Sequence, residues 1–359
     1  MVQLRPFQAS AVAEIRNAFM AGYRRVLFVL PTGGGKTYTF VYIAERAAAR
    51  GNRVWILVHR QELVQQASDS LHELGCRHSI IASGYRMDLH QRVQVVSIDS
   101  LARRLDSIPL ELLSDILIVD EAHHGVAGKW AKVLAYLRRS LILGVTATPA
   151  RLDGRGLREQ FDILIEGPDA AWLTQEKFLA NIRVFNPPGL DLSGIRRTDR
   201  GKGKQEAEGR MRTRQAMGDV VGHYRRTIEP VFMGTAIAFC HSVPHAEAVV
   251  EAFRAAGIAA AAIDGKTDKG IRKRLIADLG SGQLKVLANY DIISEGTDIP
   301  TVTGGIDLNP TESLARHLQK IGRVARPSDG KPFAVWNDHV GGTFNGDDRK
   351  HGLLTDSRE

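Results

Sequence analysis

The sequence predicts an α/β protein of two tandem lobes, each a mostly parallel sheet flanked by helices. Three observations predict it. Short runs rich in Val, Ile and Leu alternate along the chain with segments of helical period. The runs are mostly apolar and too short for helices, as expected of strands buried on both faces. The same plan then recurs in the second half, after an interruption rich in glycine and charge. A repeated β–α–β order requires crossovers, and crossovers make parallel sheets covered by helices on both sides.

In the first half the strands fall at 26–30, 54–58, 93–97, 116–119 and 141–145, with helices over 37–50 and 62–74. In the second half they fall at 236–240, 259–263, 285–288, 305–308 and 333–336, with helices over 244–256, 269–279 and 311–322. The boundary lies between about 165 and 185, giving a first domain over 1–168 and a second over 180–340. Residues 190–215 read as a mobile basic loop, since glycine and charge replace apolar periodicity there. Residues 341–359 form a tail with no assignable motif.

With 359 residues, 43% of them hydrophobic, the chain can build two sizeable cores. No apolar run approaches the ~20 residues of a membrane span. The opening MVQLRPFQ has no signal-peptide core. Two cysteines, Cys76 and Cys240, without a CxxC pair, fit a reducing cytoplasm and argue against a structural zinc site. A net charge of +8 suits a polyanionic partner. The charge is uneven: residues 196–214 hold eight Lys/Arg against three Asp/Glu.

The segment RVLFVL-PTGGGKT-YTFVYIAERA reads as strand, glycine-rich loop and helix. Gly33, Gly34 and Gly35 let backbone amides turn toward phosphate oxygens, and the helix presents its positive end to the same anion. Lys36 can reach the terminal phosphates, and the Thr37 hydroxyl can bind Mg²⁺. DEAH follows the apolar run ILIV, which sets Asp120 and Glu121 at the ligand-binding rim of the sheet. Asp120 is a Mg²⁺ ligand candidate, and Glu121 is placed to orient and deprotonate a water. His123 is suited to relaying the nucleotide state, and His124 to the surface or a supporting position. In QKIGRVAR, Gln319, Arg323 and Arg326 recur at about one helical turn, and an arginine so placed can neutralise a transferring phosphoryl group.

These strings, in this order, resemble the superfamily 2 DEAH-type DNA helicases and translocases, in the branch of type III restriction motors, Rad25-like helicases and phage helicases. The resemblance spans about residues 3–340. It implies two RecA-like P-loop domains, with ATP and Mg²⁺ as cofactors. It also implies adenine recognition by Gln8 with Arg5 beside the base, and an arginine finger at Arg326 with Arg323 on phosphate. Gln319 belongs to the same catalytic set. Thr146 and Thr148 of TATP would couple the nucleotide to the nucleic acid, and Gly296 and Asp298 of ISEGTDIP would meet the nucleotide. Arg60 and Gln65, Ser97 and Ser100, and His241 and Ser242 correspond to strand-contacting segments, with Arg103 and Arg104 nearby. Tyr290 falls where many relatives carry a small or hydroxyl residue, which leaves the phosphate contact at that position open.

The expected partner is DNA, single-stranded or forked, bound without sequence preference through phosphates. Aromatic residues make up only 6%, with no basic–aromatic interleaving, so base-stacking platforms are not expected. Trp130 and Trp172 are expected to pack beneath loops. Two alternatives stay open: an RNA helicase, or the motor subunit of a larger restriction, repair or replication complex with protein partners. No membrane association is expected. The resemblance implies a cytoplasmic setting, in a bacterium or a phage-infected cell.

Overall fold

The computed structural model describes residues 4–59, 61–122, 129–148, 157, 160–186, 219–290, 299–311 and 314–340. The chain folds as two compact units, Met1–Asp169 and Ala170–Glu359.

The first unit opens with α1 (Pro6–Met20), started by proline at its first turn and by the Gln8 carboxamide, which accepts the Arg5 backbone N–H at 3.0 Å. Then follow β1 (Arg25–Val29), α2 (Lys36–Ala49), β2 (Val54–Val58), α3 (Gln61–Glu73), β3 (His78–Ile81), β4 (Val93–Ser97), α4 (Ile98–Arg104), β5 (Ile116–Asp120), α5 (Lys129–Tyr136), β6 (Leu141–Thr146) and β7 (Ile163–Glu166). The seven strands lie in the order β3-β4-β2-β5-β6-β1-β7. Every described pairing is parallel. β2 and β4 are buried along their whole length; β2 is apolar at every position, and in β4 the buried Gln94 amide donates to the Asp88 and Gln91 carbonyls. Leu27, Trp55, Leu57, Leu101, Leu117, Trp130 and Val133 share one core on a face of this sheet.

The second unit runs α6 (Ala170–Gln175), β8 (Ile182–Phe185), α7 (Val220–Thr227), β9 (Ala236–Cys240), α8 (Val243–Ala255), β10 (Ala260–Ile263), α9 (Lys269–Ser281), β11 (Val286–Asn289), β12 (Gly304–Leu308), α10 (Leu314–Val324) and β13 (Ala334–Asp338). Its six strands are also parallel, ordered β10-β11-β9-β12-β13-β8. The N-caps are ordinary: Asp219, Ser242 and Asp268 accept backbone N–H groups of α7, α8 and α9. Two cores cover the two sides of this sheet, one around Tyr224 and Phe253, the other around Phe239 and Trp336.

All ten expected strands are present, with ends moved by no more than two residues. Three further strands, β3, β7 and β8, escaped the sequence reading. Most of their residues are half-buried or exposed, with only Ile81 and Ile165 buried, so they lack the buried run that marks the central strands. Both cysteines are free. No described helix is long and apolar enough to cross a membrane. The 196–214 cluster and the 341–359 tail lie outside the described residues.

Candidate functional site

The first unit gathers its chemistry at the carboxyl ends of its strands, where α/β sheets bind ligands. The loop after β1 turns through Gly33 at φ 88° and Gly35 at φ 92°, a region open to glycine and costly to other residues. A Cβ on Gly35 would collide with the Gln8 amide nitrogen, and one on Gly34 would stand 2.8 Å from the Leu30 side chain. The loop is therefore close-packed as well as left-handed. Gln8, 3% exposed, donates from Nε2 to the Gly34 and Gly35 carbonyls, each at 3.3 Å. Thr39 Oγ1 donates to the Gly35 carbonyl at 3.0 Å. The Leu30 N–H donates to the Thr146 carbonyl at 3.0 Å, which ties the loop's root to β6.

Lys36 is buried at the start of α2. Its positive charge acts on Asp120 at the end of β5. Burial, and then the neighbouring Glu121, push the Asp120 carboxyl up to about 7, opposed by Lys36, the Glu121 N–H and His59. The Glu121 N–H donates to Asp120 Oδ1 at 3.0 Å. Glu121 itself is held at φ 49°, a conformation that β-carbon residues avoid. Strain of this kind costs ~1–3 kcal/mol and collects at functional sites. His59 follows β2, the neighbour of β5, and was not singled out from the sequence; its position just past the apolar run VWILV is the signal the sequence carries, and its approach to the acidic pair comes from the strand order. The donor set, a buried carboxylate and the Thr37 hydroxyl at a helix start, is hard oxygen chemistry that suits Mg²⁺.

Thr146 and Thr148 are both buried and bonded to each other: Thr146 Oγ1 donates to the Thr148 carbonyl at 2.9 Å and accepts the Thr148 N–H at 3.2 Å. In the second unit Gln319 and Arg323 lie buried on α10, while Arg326, just past its end, is half-buried. The sequence reading passed over Lys320, between them, and Lys331, beyond them. Lys320 donates from this segment to the buried Asp307 carboxylate, and Lys331 donates back to the Val324 and Arg326 carbonyls. Arg60, His123, His124, Gly296 and Asp298 lie outside the described residues.

Residues 1–151 match the family described as type III restriction enzyme, res subunit, and residues 223–328 match the helicase conserved C-terminal domain. The chain belongs to the superfamily 2 helicases. A 51.5 kDa protein of a Lactococcus phage (isolate 7-9) is 33% identical to this helicase-family chain over 296 residues, which are 82% of the chain and 61% of that protein. A fission-yeast (Schizosaccharomyces pombe) protein named as mitochondrial ATP-dependent helicase irc3 is 30% identical over 355 residues, 92% of the chain and 56% of that protein. The chain thus spans little more than half the length of these relatives. A fragment of an HsdR subunit of a type I restriction enzyme from Vibrio vulnificus shares the fold, with TM-score 0.73 at 20% identity over 95% of this chain and 64% of that one.

The helicase segments expected to meet a strand fall into two groups. Ser97 and Ser100 are 6% and 3% exposed, packed at the start of α4 rather than presented. Arg103 is exposed and bonds only its own helix through the Asp99 carbonyl at 3.0 Å among the described contacts. Gln65, also exposed, bonds Asp69 and Tyr85. Ser242 Oγ accepts the His245 N–H at 3.3 Å as an N-cap, which leaves its hydroxyl proton to donate. His241 Nδ1 lies 2.5 Å from His245 Nδ1. Trp130 packs in the core as expected, whereas Trp172 stays 39% exposed and stacks on Phe178 at 6.0 Å.

Proposed function

We propose that the chain is an ATP-dependent DNA helicase or translocase. The observation that carries the reading is the close-packed, left-handed glycine loop leading into Lys36, whose charge acts on the buried Asp120–Glu121 pair. The loop amides and Lys36 would hold the phosphates, with Thr37 and Asp120 as the Mg²⁺ ligands. The chemistry a bound Mg²⁺ supplies there is neutralisation of phosphate oxygens. Glu121 would orient the attacking water and take its proton. Arg326, with Arg323 and Gln319, would offset charge on the transferring phosphoryl group. Gly296 and Asp298 would meet the nucleotide, Thr146, Thr148 and His123 would couple it to the strand, and Arg5 and Gln8 would frame the adenine. Gln8 now uses its amide on the loop carbonyls, so adenine binding through Gln8 would compete with or reshape those bonds.

Among strand-contacting candidates, exposure favours Arg103; His241 and Ser242 are half-buried and stay candidates by position, and the basic 196–214 segment joins them on charge alone. The restriction-enzyme family match and the DEAHH and TATPARLDG strings favour DNA over RNA. RNA, or a motor role within a larger complex, are the competing readings.

Steady-state ATP hydrolysis tests the proposal, measured alone, with single-stranded DNA, with duplex DNA and with RNA, each beside Glu121→Gln. DNA-specific stimulation lost in the variant is expected. Equal stimulation by RNA would replace DNA with RNA, and turnover indifferent to every polymer would shift the role to a partner-driven motor.

A further inference from the structure

Helix α10 is fixed to its sheet by more than apolar contact. Ile321 and Val324 pack with Phe239 and Trp336 in one core, but such contact is non-directional and tolerates rotation. On the same face lies Lys320, 5% exposed, whose Nζ donates to Asp307 Oδ1 at 2.8 Å and to the Asn309 carbonyl at 2.6 Å. Asp307, next to last in β12, is fully buried. One turn earlier on the helix, His317 Nδ1 stands 3.6 Å from Asp307 Oδ2, with its ring edge-on to Trp336 at 5.9 Å. Burial pushes the Asp307 carboxyl up, but Lys320 and His317 more than offset it and hold it below the usual carboxylate range.

A second lysine holds the end of the same segment. Lys331 Nζ donates to the Val324 carbonyl at 2.7 Å, to the Arg326 carbonyl at 2.9 Å and to the Pro300 carbonyl at 3.3 Å. Its three donors meet three acceptors, closing carbonyls that a helix end leaves open. Burial pulls its ammonium down to about 7. One acceptor is the backbone of Arg326 itself.

At 3.6 residues per turn, Gln319 and Arg323 stand about 100° and about 60° around the helix from Lys320. A rotation of the helix that the Lys320–Asp307 pair prevents would therefore turn both side chains from their present directions. We propose that Lys320 and Lys331 are positioning residues for hydrolysis: Lys320 fixes the rotation of α10 through Asp307, and Lys331 fixes the backbone that carries Arg326.

This inference rests on the arginine roles proposed above, and its test separates the two. ATP turnover of the full chain, with the stimulating polymer, is measured for Lys331→Met, Arg326→Ala and the double variant. The paired Asp307→Leu/Lys320→Met variant is measured beside them. That pair replaces a buried ion pair with apolar groups, an exchange that often leaves stability unchanged or raised. Misplacing a catalytic group by an ångström can cost about a hundredfold in rate. The expected result is a kcat loss of about tenfold or more in Lys331→Met and in the paired variant. KM for ATP and the unfolding midpoint should stay near wild type, and Lys331→Arg should recover part of the rate. In the Arg326→Ala background, Lys331→Met should add little. A folded Lys331→Met with unchanged kcat, or an equal penalty with and without Arg326, would overturn this inference alone. Arg326→Ala with wild-type turnover would overturn the arginine role, and this inference with it.

Discussion

Gly35→Ala probes the phosphate loop most directly, because the structure separates its cost into two parts. Gly35 sits at φ 92°, ψ 34° as the cap of α2. An L-residue in the left-handed region costs ~1–2 kcal/mol. The new methyl would also occupy the place of the Gln8 amide nitrogen, driving that side chain off the Gly34 and Gly35 carbonyls. Both hydrogen bonds are 3.3 Å long, at the weak end, so each contributes roughly 0.5 kcal/mol. The variant should lose about 2–3 kcal/mol in the unfolding transition of the first unit, and its affinity for ATP should fall. In a Gln8→Ala background the collision and the bonds are already gone, so only the backbone strain of ~1–2 kcal/mol should remain. Urea unfolding of the four proteins, with and without ATP, measures the coupling. Additive losses, within the ~0.3–0.5 kcal/mol seen for independent sites, would refute the reasoning that Gln8 braces the loop.

Further outcomes follow from other residues. Lys36→Ala should abolish ATP turnover, read by phosphate release, with folding retained. Glu121→Gly should abolish turnover yet raise the unfolding midpoint, since glycine relieves the φ 49° strain; a lowered midpoint would remove the strain argument. Burial, and then His241, pull the His245 imidazole down to about 3. A depressed folded value means that its stability is fully present above the ordinary value of 6.5 and is lost as pH falls toward 3, at up to about 1.4 kcal/mol per pH unit. Wild type and His245→Gln unfolded across pH 4–7 should differ by that slope; parallel curves would show the pair carries none of it. Arg103→Glu should weaken DNA binding and flatten the dependence of log affinity on log salt, as loss of a phosphate contact requires.

Much of this was legible in the sequence. Ten strands announced themselves because central parallel strands are buried on both faces and are therefore mostly apolar; β2 and β4 are buried throughout, with few polar interruptions such as Gln94. The glycine loop, Lys36, Asp120 and Glu121 were legible because their spacing is local: each stands within a residue or two of a strand or helix end. The edge strands β3, β7 and β8 were not, since half-buried edges carry mixed residues.

What the sequence determined by itself, then, is the alternating plan, the two sheets and the residue types that can cradle and cleave a phosphate, since these depend on periodicity and short spacing. The tertiary structure alone decided which groups brace them. Gln8 reaches the loop from 26 residues away, Thr146 anchors its root, and His59 faces Asp120 across neighbouring strands. Asp307 finds Lys320, and Lys331 folds back onto Arg326, because strand order and helix packing bring them together. Pairings of that kind depend on the register between elements, which no local pattern encodes.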